Sequence, residues 1–261
     1  MAQRVFITGA SSGLGEALAR HYAAQGAVLG LVARRHEVLT QLAADLPGAG
    51  AHRIYPVDVT DHAALAAAAR DFIEAGAVDV VIANAGISVG TLTEHGADLA
   101  AFERVLATNV TATVATFASF IAHMRAQAPA RRRQLRLVGI GSVAGIRGLP
   151  GAGAYSASKA SVISYCESLR VELRGSGIRV VTIAPGYIDT PMTQGNRYQM
   201  PFLMPAPRFA ARAAAAIAAG SSYRVIPWQM GVVAKLLRLL PNWLYDLLFS
   251  KAPHKARSSA P

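Results

Sequence analysis

Short strand-like runs alternate with helical patterns along most of the chain, and this alternation is what most constrains the fold. The Val- and Ile-rich runs occupy residues 4–9, 27–33, 52–59, 78–86, 135–142, 178–186 and 223–228. The helical patterns lie near residues 14–25, 36–45, 61–75, 98–124, 154–174 and 207–219. Strands and helices in this order are typical of right-handed βαβ units. The sequence therefore predicts an α/β fold, with a doubly wound, mostly parallel, seven-stranded sheet and helices on both faces.

Length and composition indicate a single domain. The chain has 261 residues, of which 52% are hydrophobic, and no Ser/Pro/Gly-rich linker divides it, so it can bury one large core. We expect this domain to span residues 1–228 and a helical extension to span 229–261. The single cysteine, Cys166, cannot form an internal disulfide, which favours a reducing cytoplasm. A strand-like run starts at Val5, so no signal peptide is expected.

The basic charge is concentrated towards the C-terminus. The formal net charge is +11, and beyond Met200 eight Lys or Arg residues are opposed by a single acidic residue, Asp246. A further cluster, Arg131–Arg133 with Arg136, lies between a predicted helix and a predicted strand. A solvated loop explains that cluster more simply than a phosphate-binding patch does, and we predict no nucleic-acid partner.

The first strand runs directly into the glycine-rich sequence TGASSGLG at residues 8–15. Glycine in a strand-to-helix turn lets backbone N–H groups approach a pyrophosphate, and the helix N-terminus adds partial positive charge. The spacing G-x-x-x-G-x-G differs from the common dinucleotide fingerprint, and the glycines could also serve the turn alone. Because a strand precedes this loop and a helix follows it, we predict a Rossmann-like dinucleotide site. The candidate contacts are Thr8, Gly9, Ser11, Ser12, Gly13, Leu14 and Gly15.

The end of the second strand indicates which nicotinamide cofactor binds. In dinucleotide folds an acidic residue there binds the ribose 2′-hydroxyl, whereas an arginine accommodates a 2′-phosphate. This chain has Ala33 in the acidic position, followed by Arg34 and Arg35. Since a guanidinium forms paired hydrogen bonds to a phosphate, we predict NADP(H). The alternative is that both arginines are solvated loop residues.

Tyr155 and Lys159 lie four positions apart in a predicted helix, so their side chains share one face of it. An ammonium close to a phenol favours the phenolate and lowers the tyrosine pKa below its usual value of about 10. Such a pair supplies an acid/base group near neutral pH. The alternative is a surface tyrosine beside a solvated lysine.

Six motifs in a fixed order favour the functional interpretation of these features. They are TGASSGLG at 8–15, NAG at 84–86, Asn109, Ser142, YSASK at 155–159 and PGYIDTPM at 185–192. Together they resemble the short-chain dehydrogenase/reductase family over about residues 4–230. One departure is Ala83, where the family often has a second asparagine before NAG. This difference should affect local packing more than chemistry.

The resemblance implies a catalytic set of Asn109, Ser142, Tyr155 and Lys159. Tyr155 would act as general acid, and the Ser142 hydroxyl would hold the same substrate oxygen. Lys159 would lower the tyrosine pKa and bind the nicotinamide ribose, and Asn109 would hold a water that links Lys159 to solvent. The structural alternatives are a loop cap at Ser142 and a buried amide at Asn109 that satisfies backbone groups.

The resemblance also implies further cofactor contacts and a reaction. Besides the loop, the two arginines, Tyr155 and Lys159, these contacts are Asp58, Val59, Asn84, Ala85, Gly86, Pro185, Gly186, Ile188 and Thr190. The implied reaction is hydride transfer between NADP(H) and a carbonyl or secondary alcohol, in a homodimer or homotetramer. The alternatives are a membrane-surface ketoreductase of a lipid-like substrate and a non-catalytic NADP-binding regulatory protein.

Two segments leave their roles open. Residues 193–208 carry Met200, Phe202, Leu203 and Met204, which favour equally a lid over a hydrophobic substrate and a core or dimer contact.

Residues 229–257 show an amphipathic pattern that breaks at Pro241, and Lys235 and Arg238 exclude a membrane-spanning helix there. This extension could lie on an anionic bilayer or pack on the domain. We favour packing, with a disordered basic end after Pro253.

Overall fold

The structure is a computed structural model that describes residues 2–131, 135–194, 196 and 199–251. Its strands are β1 Arg4–Thr8, β2 Val28–Ala33, β3 Arg53–Pro56, β4 Val80–Ala83, β5 Arg136–Ile140, β6 Arg179–Pro185, β7 Ile188–Asp189, β8 Met204–Pro205 and β9 Tyr223–Ile226. Seven of them form one parallel sheet in the order β3-β2-β1-β4-β5-β6-β9, and β7 pairs with β8. The predicted seven-stranded, doubly wound sheet is confirmed.

Helices cover both faces of this sheet. The α-helices are α1 Gly13–Ala24, α2 His36–Asp45, α3 His62–Glu74, α4 Asp98–Leu106, α5 Ala112–Arg131, α6 Gly153–Glu172, α7 Pro191–Gln194, α8 Ala206–Ala218, α9 Trp228–Leu239 and α10 Asn242–Phe249. Short 3₁₀ turns lie at Ala49–Ala51 and Val143–Gly145, and a π-helical turn lies at Ala107–Thr111.

The alternation of side chains along β1 divides the core into two clusters. Val5 and Ile7 point to one face, where they join residues of α1 and α8, and Phe6 points to the other. The Phe6 ring centroid lies 4.8 Å from that of Phe120 on α5 and 5.6 Å from that of Phe72 on α3. Since β1 separates β2 from β4, the winding reverses between β1 and β4, and ligands bind at the carboxyl ends of strands beside such a reversal.

The helical pattern predicted at 98–124 is one run in the sequence but three elements in the structure. A π-helical turn, Ala107–Thr111, joins α4 to α5. A π-helical turn of five residues barely changes the spacing of hydrophobic residues. The sequence pattern therefore predicts one continuous helix in place of these three elements. By length and hydropathy, the run Asp98–Pro129 is the one described helix that could cross a membrane; in this fold Phe117 and Phe120 of that run are fully buried in the core.

The C-terminal helices α9 and α10 pack on the domain through Arg147. Its Nη1 donates to the carbonyls of Leu237 at 2.7 Å and Leu240 at 2.8 Å. Its guanidinium lies 4.0 Å from the ring centroid of Tyr245, whose hydroxyl donates to the Gly148 carbonyl. The basic end predicted after Pro253 and part of the arginine cluster, residues 132 and 133, lie outside the described residues.

Candidate active site

A cavity of about 710 Å³ opens at the carboxyl ends of the central strands. Gly9 follows β1, Asn84 follows β4, Gly141 follows β5 and Gly186 follows β6, and all four line the cavity. The predicted runs 78–86 and 135–142 extend past β4 and β5, because their last residues leave the sheet to form this wall. Cofactor sites have volumes of about 300–1,000 Å³, so the cavity is large enough for such a group.

The glycine-rich loop is held by close backbone contacts that exclude side chains. Gly9 has φ +68°, and a Cβ there would lie 2.8 Å from Cα of Ala85. A Cβ on Gly15 would collide with the Gly9 carbonyl oxygen. Nδ2 of Asn84 donates to the carbonyls of Thr8 at 3.0 Å and Gly9 at 3.2 Å. The loop and the segment after β4 therefore form one rigid unit.

Helix α1 directs its N-terminus at the cavity. It begins at Gly13, and its N-cap residue Ser12 makes no side-chain capping bond within the described residues. Both residues line the cavity. The N–H groups of the first turn and the helix dipole thus suit an anion such as a pyrophosphate.

The end of β2 places two guanidinium groups at one side of the cavity. Arg35 Nη2 donates to the carbonyl of Ser11 at 3.1 Å and to its Oγ at 3.0 Å. Nη1 of Arg34 lies 3.8 Å from the Asp58 carboxylate. That carboxylate accepts hydrogen bonds from the N–H and hydroxyl of Thr60, which lower the Asp58 pKa. All of these residues, with Ala33, line the cavity.

Ser142 lies where the chain leaves β5. Its Oγ accepts from the Ala144 N–H at 3.1 Å and caps the 3₁₀ turn Val143–Gly145, so the loop-cap interpretation holds. A hydroxyl that accepts can still donate its own proton. A Cβ on Gly145 would lie 2.6 Å from the backbone carbon of Lys159, so the absence of a side chain there lets the Ser142 turn pack directly on α6.

Tyr155 and Lys159 project from the first turns of α6 into the cavity with Ser142. The Lys159 Nζ lies 5.8 Å from the Tyr155 ring centroid and donates to the Ile140 carbonyl at 2.8 Å. Only 5% of Lys159 is exposed. Burial lowers its pKa from the usual 10.5 to about 8, because a desolvated ammonium is costly.

Asn109 does not line the cavity. Its Oδ1 accepts from the Ile87 N–H at 2.8 Å, and its Nδ2 donates to the Ile87 carbonyl at 3.0 Å and to Ser158 Oγ at 2.9 Å. The amide therefore satisfies backbone groups and connects the π-helical turn to the segment after β4 and to α6. The proton-relay role remains a prediction.

The segment after β6 forms the remaining wall. The Thr193 hydroxyl donates to the Ile188 carbonyl at 2.6 Å, and the Thr190 N–H donates to Thr193 Oγ1 at 3.1 Å. These bonds fix the short turn in which Ile188 and Thr190 line the cavity. On the far side of this wall, a Cβ on Gly186 would lie 2.6 Å from Cγ of Met230 on α9.

The apolar residues of the 193–208 segment divide between core and surface. Met204 is 5% exposed in β8 and belongs to the core, whereas Phe202 is 50% and Leu203 is 46% exposed. Residues 195, 197 and 198 lie outside the described residues. The core interpretation therefore holds for Met204, and both a lid and a dimer contact stay open for the two exposed residues.

Most of the residues predicted for the site lie around this single cavity. Those lining it are Gly9, Ser11, Ser12, Gly13, Leu14, Arg34, Arg35, Asp58, Val59, Asn84, Ala85, Gly86, Ser142, Tyr155, Lys159, Pro185, Gly186, Ile188 and Thr190. Thr8, Gly15 and Asn109 do not line it. They hold the residues that do: Thr8 Oγ1 accepts from the N–H groups of Asn84 and Ala85, both at 3.1 Å.

Sequence reasoning missed several lining residues. They are Val57, Thr60, Ile87, Val89, Arg104, Ala107, Thr108, Ile140, Gly141, Pro191, Met192 and Thr193. Most flank a predicted residue at the same strand end, so extending each motif by one or two positions would have found them. Arg104 comes from α4, and only the tertiary packing of that helix brings it to the cavity.

Comparison with known proteins gives one consistent result. A family model described as short chain dehydrogenase matches residues 3–201. An uncharacterized oxidoreductase of Myxococcus xanthus is 38% identical over 243 residues, covering 92% of this chain and 93% of that protein. A cis-4-hydroxycyclohexanecarboxylate dehydrogenase of Sinomonas cyclohexanicum is 39% identical over 200 residues, covering 74% and 77%. Among solved structures, a 3-ketoacyl-(acyl-carrier-protein) reductase from Brucella melitensis complexed with NADH matches with a TM-score of 0.76 and 25% identity, over 86% of this chain and 96% of that one.

Proposed function

Since the chain belongs to the short-chain dehydrogenase family of oxidoreductases, which bind a nicotinamide cofactor, we propose that it transfers hydride between NADP(H) and a carbonyl or secondary alcohol. One observation carries the proposal. Ser142, Tyr155 and Lys159 line the same cavity as the glycine-rich loop and the α1 N-terminus. A protein that only bound the cofactor would need no proton donor beside it.

The residues of the cavity suit a dinucleotide along its length. Gly9, Ser12 and Gly13 would hold the pyrophosphate with backbone N–H groups, and Asp58 and Val59 would border the adenine. Ile188 and Thr190 would meet the nicotinamide carboxamide. When bound, the nicotinamide supplies hydride to a carbonyl carbon or accepts it from an alcohol.

Tyr155 donates the proton in the reductive direction. As hydride reaches the carbonyl carbon, negative charge grows on the oxygen, and the Tyr155 hydroxyl protonates it. Ser142 donates a hydrogen bond to the same oxygen and stabilises the developing charge. The Lys159 ammonium favours the tyrosinate that results and would donate to the nicotinamide ribose when the cofactor is bound. In the oxidative direction the same groups act in reverse.

The preference for NADP(H) rests on the end of β2. A carboxylate at position 33 would repel a 2′-phosphate, and this chain has alanine there. Arg35 is already oriented by two hydrogen bonds to Ser11, so little side-chain entropy remains to be lost when it binds a phosphate. Arg34 is 74% exposed at its side chain and can turn towards the same group.

The substrate we propose is a hydrophobic carbonyl compound or secondary alcohol. Met192 lines the cavity and is 43% exposed, and the exposed Phe202 and Leu203 follow in the next segment. The Sinomonas relative is named for a substrate that carries a hydroxyl group on a cyclohexane ring, which supports a secondary alcohol as the reacting group. We also propose a homodimer or homotetramer in a reducing cytoplasm.

The test is a screen of carbonyl compounds for oxidation of NADPH, with Tyr155→Phe as the critical variant. We expect kcat to fall by about 10²–10⁴-fold, the usual contribution of a general acid, while NADPH affinity changes less than about threefold.

Tyr165→Phe is the matched control, because Tyr165 lies on the same helix, is half buried, and stacks on Phe117. It loses one hydroxyl away from the cavity and should keep its activity. Full activity in Tyr155→Phe would exclude the proposed role.

A further inference from the structure

Helix α9 buries one side and leaves an apolar stripe on the other. Met230 and Ala234 are 6% and 5% exposed. On the opposite side Trp228 is 65%, Val232 48%, Leu236 60% and Leu239 80% exposed. At 100° per residue these four side chains fall within about 80° of the helix circumference, so they form one continuous strip.

Helix α10 repeats this arrangement after the break at Pro241. Tyr245 is 8% exposed against the domain, whereas Trp243, Leu247 and Leu248 are 68%, 69% and 59% exposed. We refer to the three exposed residues of α10 and the four of α9 as the C-terminal apolar face. Large exposed apolar patches mark sites that another surface covers.

The C-terminal apolar face belongs to helices that are firmly attached to the domain. Arg147 holds the α9–α10 connection with hydrogen bonds to the carbonyls of Leu237 and Leu240 and to Oδ1 of Asn242. The Tyr245 hydroxyl donates to the Gly148 carbonyl. The inner sides of both helices are therefore fixed, and their apolar outer sides stay in solvent.

The charges around the face indicate its partner. Lys235 lies at the edge of the exposed stripe, next to Trp228 around the helix, Arg238 lies further round and Lys251 follows α10, and Asp246 is the one acidic side chain among residues 228–251. Two copies of so basic a surface would repel each other, whereas anionic lipid headgroups attract it. Lysine also suits such a position because its long stem can reach headgroups from an apolar strip.

Both tryptophans of the chain, Trp228 and Trp243, belong to this face, and tryptophan is enriched at the boundary between lipid and water. From these observations we propose that the C-terminal apolar face docks on an anionic bilayer, with α9 and α10 lying in the interface. The inner side of α9 contacts the cavity wall, through Met230 at Gly186. Docking thus brings the active site to within about one helix diameter, ~10 Å, of the lipid.

Vesicle binding tests the proposal without requiring turnover. We expect the full chain to sediment with vesicles of phosphatidylcholine and phosphatidylglycerol, and to do so at least tenfold more weakly with phosphatidylcholine alone or at high salt. Since both tryptophans lie on the face, their emission should shift to shorter wavelength on binding. Tyr155→Phe should bind as the wild type does, which separates docking from the proposed reaction.

Leu236→Ser/Leu247→Ser should bind anionic vesicles at least tenfold more weakly. Its matched control is Leu99→Ser/Val171→Ser, which removes two residues, each 62% exposed, from other helices. Lys235→Glu/Arg238→Glu should lose the preference for anionic lipid, and Arg70→Glu/Arg125→Glu should keep it.

Two outcomes would overturn the proposal. The first is wild-type protein that binds neither kind of vesicle, and the second is equal binding by Leu236→Ser/Leu247→Ser and the wild type. If, in the first case, Leu236→Ser/Leu247→Ser also has a lower native mass in solution than the wild type, the face is a contact between copies of this chain.

Discussion

Substitution of Arg35 tests directly whether the protein prefers NADPH to NADH. Arg35 donates two hydrogen bonds to Ser11 at the edge of the cavity, and a hydrogen bond to a charged group contributes about 1.5–3 kcal/mol. Arg35→Ala should therefore raise the KM for NADPH by about 10–100-fold and leave the KM for NADH within about twofold. Steady-state kinetics with both cofactors measure the ratio.

Arg20→Ala is the matched control for this experiment, because Arg20 is an exposed arginine that pairs with Glu16 on α1. It should change neither KM. An equal loss with NADPH and NADH in Arg35→Ala would instead mean that Arg35 supports the loop and does not select the phosphate.

The sequence predicts site residues best where chemistry demands a particular side chain. Tyr155 and Lys159 follow from their four-residue spacing together with the ordered motifs elsewhere in the chain, and Arg35 follows from its place at a strand end. The positions of Thr8 and Asn109 behind the cavity were not predictable in the same way. Their roles depend on which backbone groups the packed chain brings near them, and no local pattern records that.

The π-helical turn between α4 and α5 is an element that one buried amide stabilises. Asn109 is 0% exposed and makes three hydrogen bonds, two of them to the backbone of Ile87. Asn109→Leu would leave the Ile87 N–H and carbonyl without these partners. We expect the free energy of unfolding to fall by about 2–4 kcal/mol, measured by urea denaturation, with a lower kcat because Ile87 lines the cavity.

Thr116→Val provides the comparison within the same helical run. Thr116 is 1% exposed and its hydroxyl donates to the Ala112 carbonyl at 2.7 Å, a group that belongs to the helix itself. Its loss should cost no more than about 1 kcal/mol. If both variants lost the same stability, the Asn109 amide would have no special part in the turn.

At the level of elements, the strands and long helices follow from periodicity, but their carboxyl ends do not. The runs predicted at 78–86 and 135–142 continue past the ends of β4 and β5, because no local pattern shows that the small and polar residues 84–86 and 141–142 leave the sheet to line the cavity. The two-residue strands β7 and β8 have no pattern of their own. They form because the chain after β6 folds back on itself, with the Met204 N–H donating to the Tyr187 carbonyl at 3.0 Å.

Burying a charged ammonium in the candidate active site lowers the free energy of unfolding of the whole molecule. Lys159 has its pKa lowered by burial from 10.5 to about 8. Below pH 8 the lysine is charged in both the folded and the unfolded chain, and the fold bears the full cost of desolvating it. Between about pH 8 and 10.5 the unfolded chain holds one proton more than the folded chain, so the contribution of this group to stability rises with pH. Above that window both forms are neutral.

Lys159→Met should therefore be more stable than the wild type at pH 7, by about 1–3 kcal/mol, despite losing the hydrogen bond to the Ile140 carbonyl. The advantage should shrink as the pH rises towards 10. Urea unfolding of the cofactor-free protein at several pH values gives this difference, and subtracting one curve from the other removes groups that do not interact with Lys159, such as Tyr165, whose pKa burial raises to about 12. Lys235→Met, at an exposed lysine of α9, should show no such dependence on pH.

A Lys159→Met variant that is less stable than the wild type by the same amount at every pH would mean that the Ile140 carbonyl offsets the cost of burying the charge. The expected result would show instead that the ammonium is retained for its chemistry, as is common where function opposes stability.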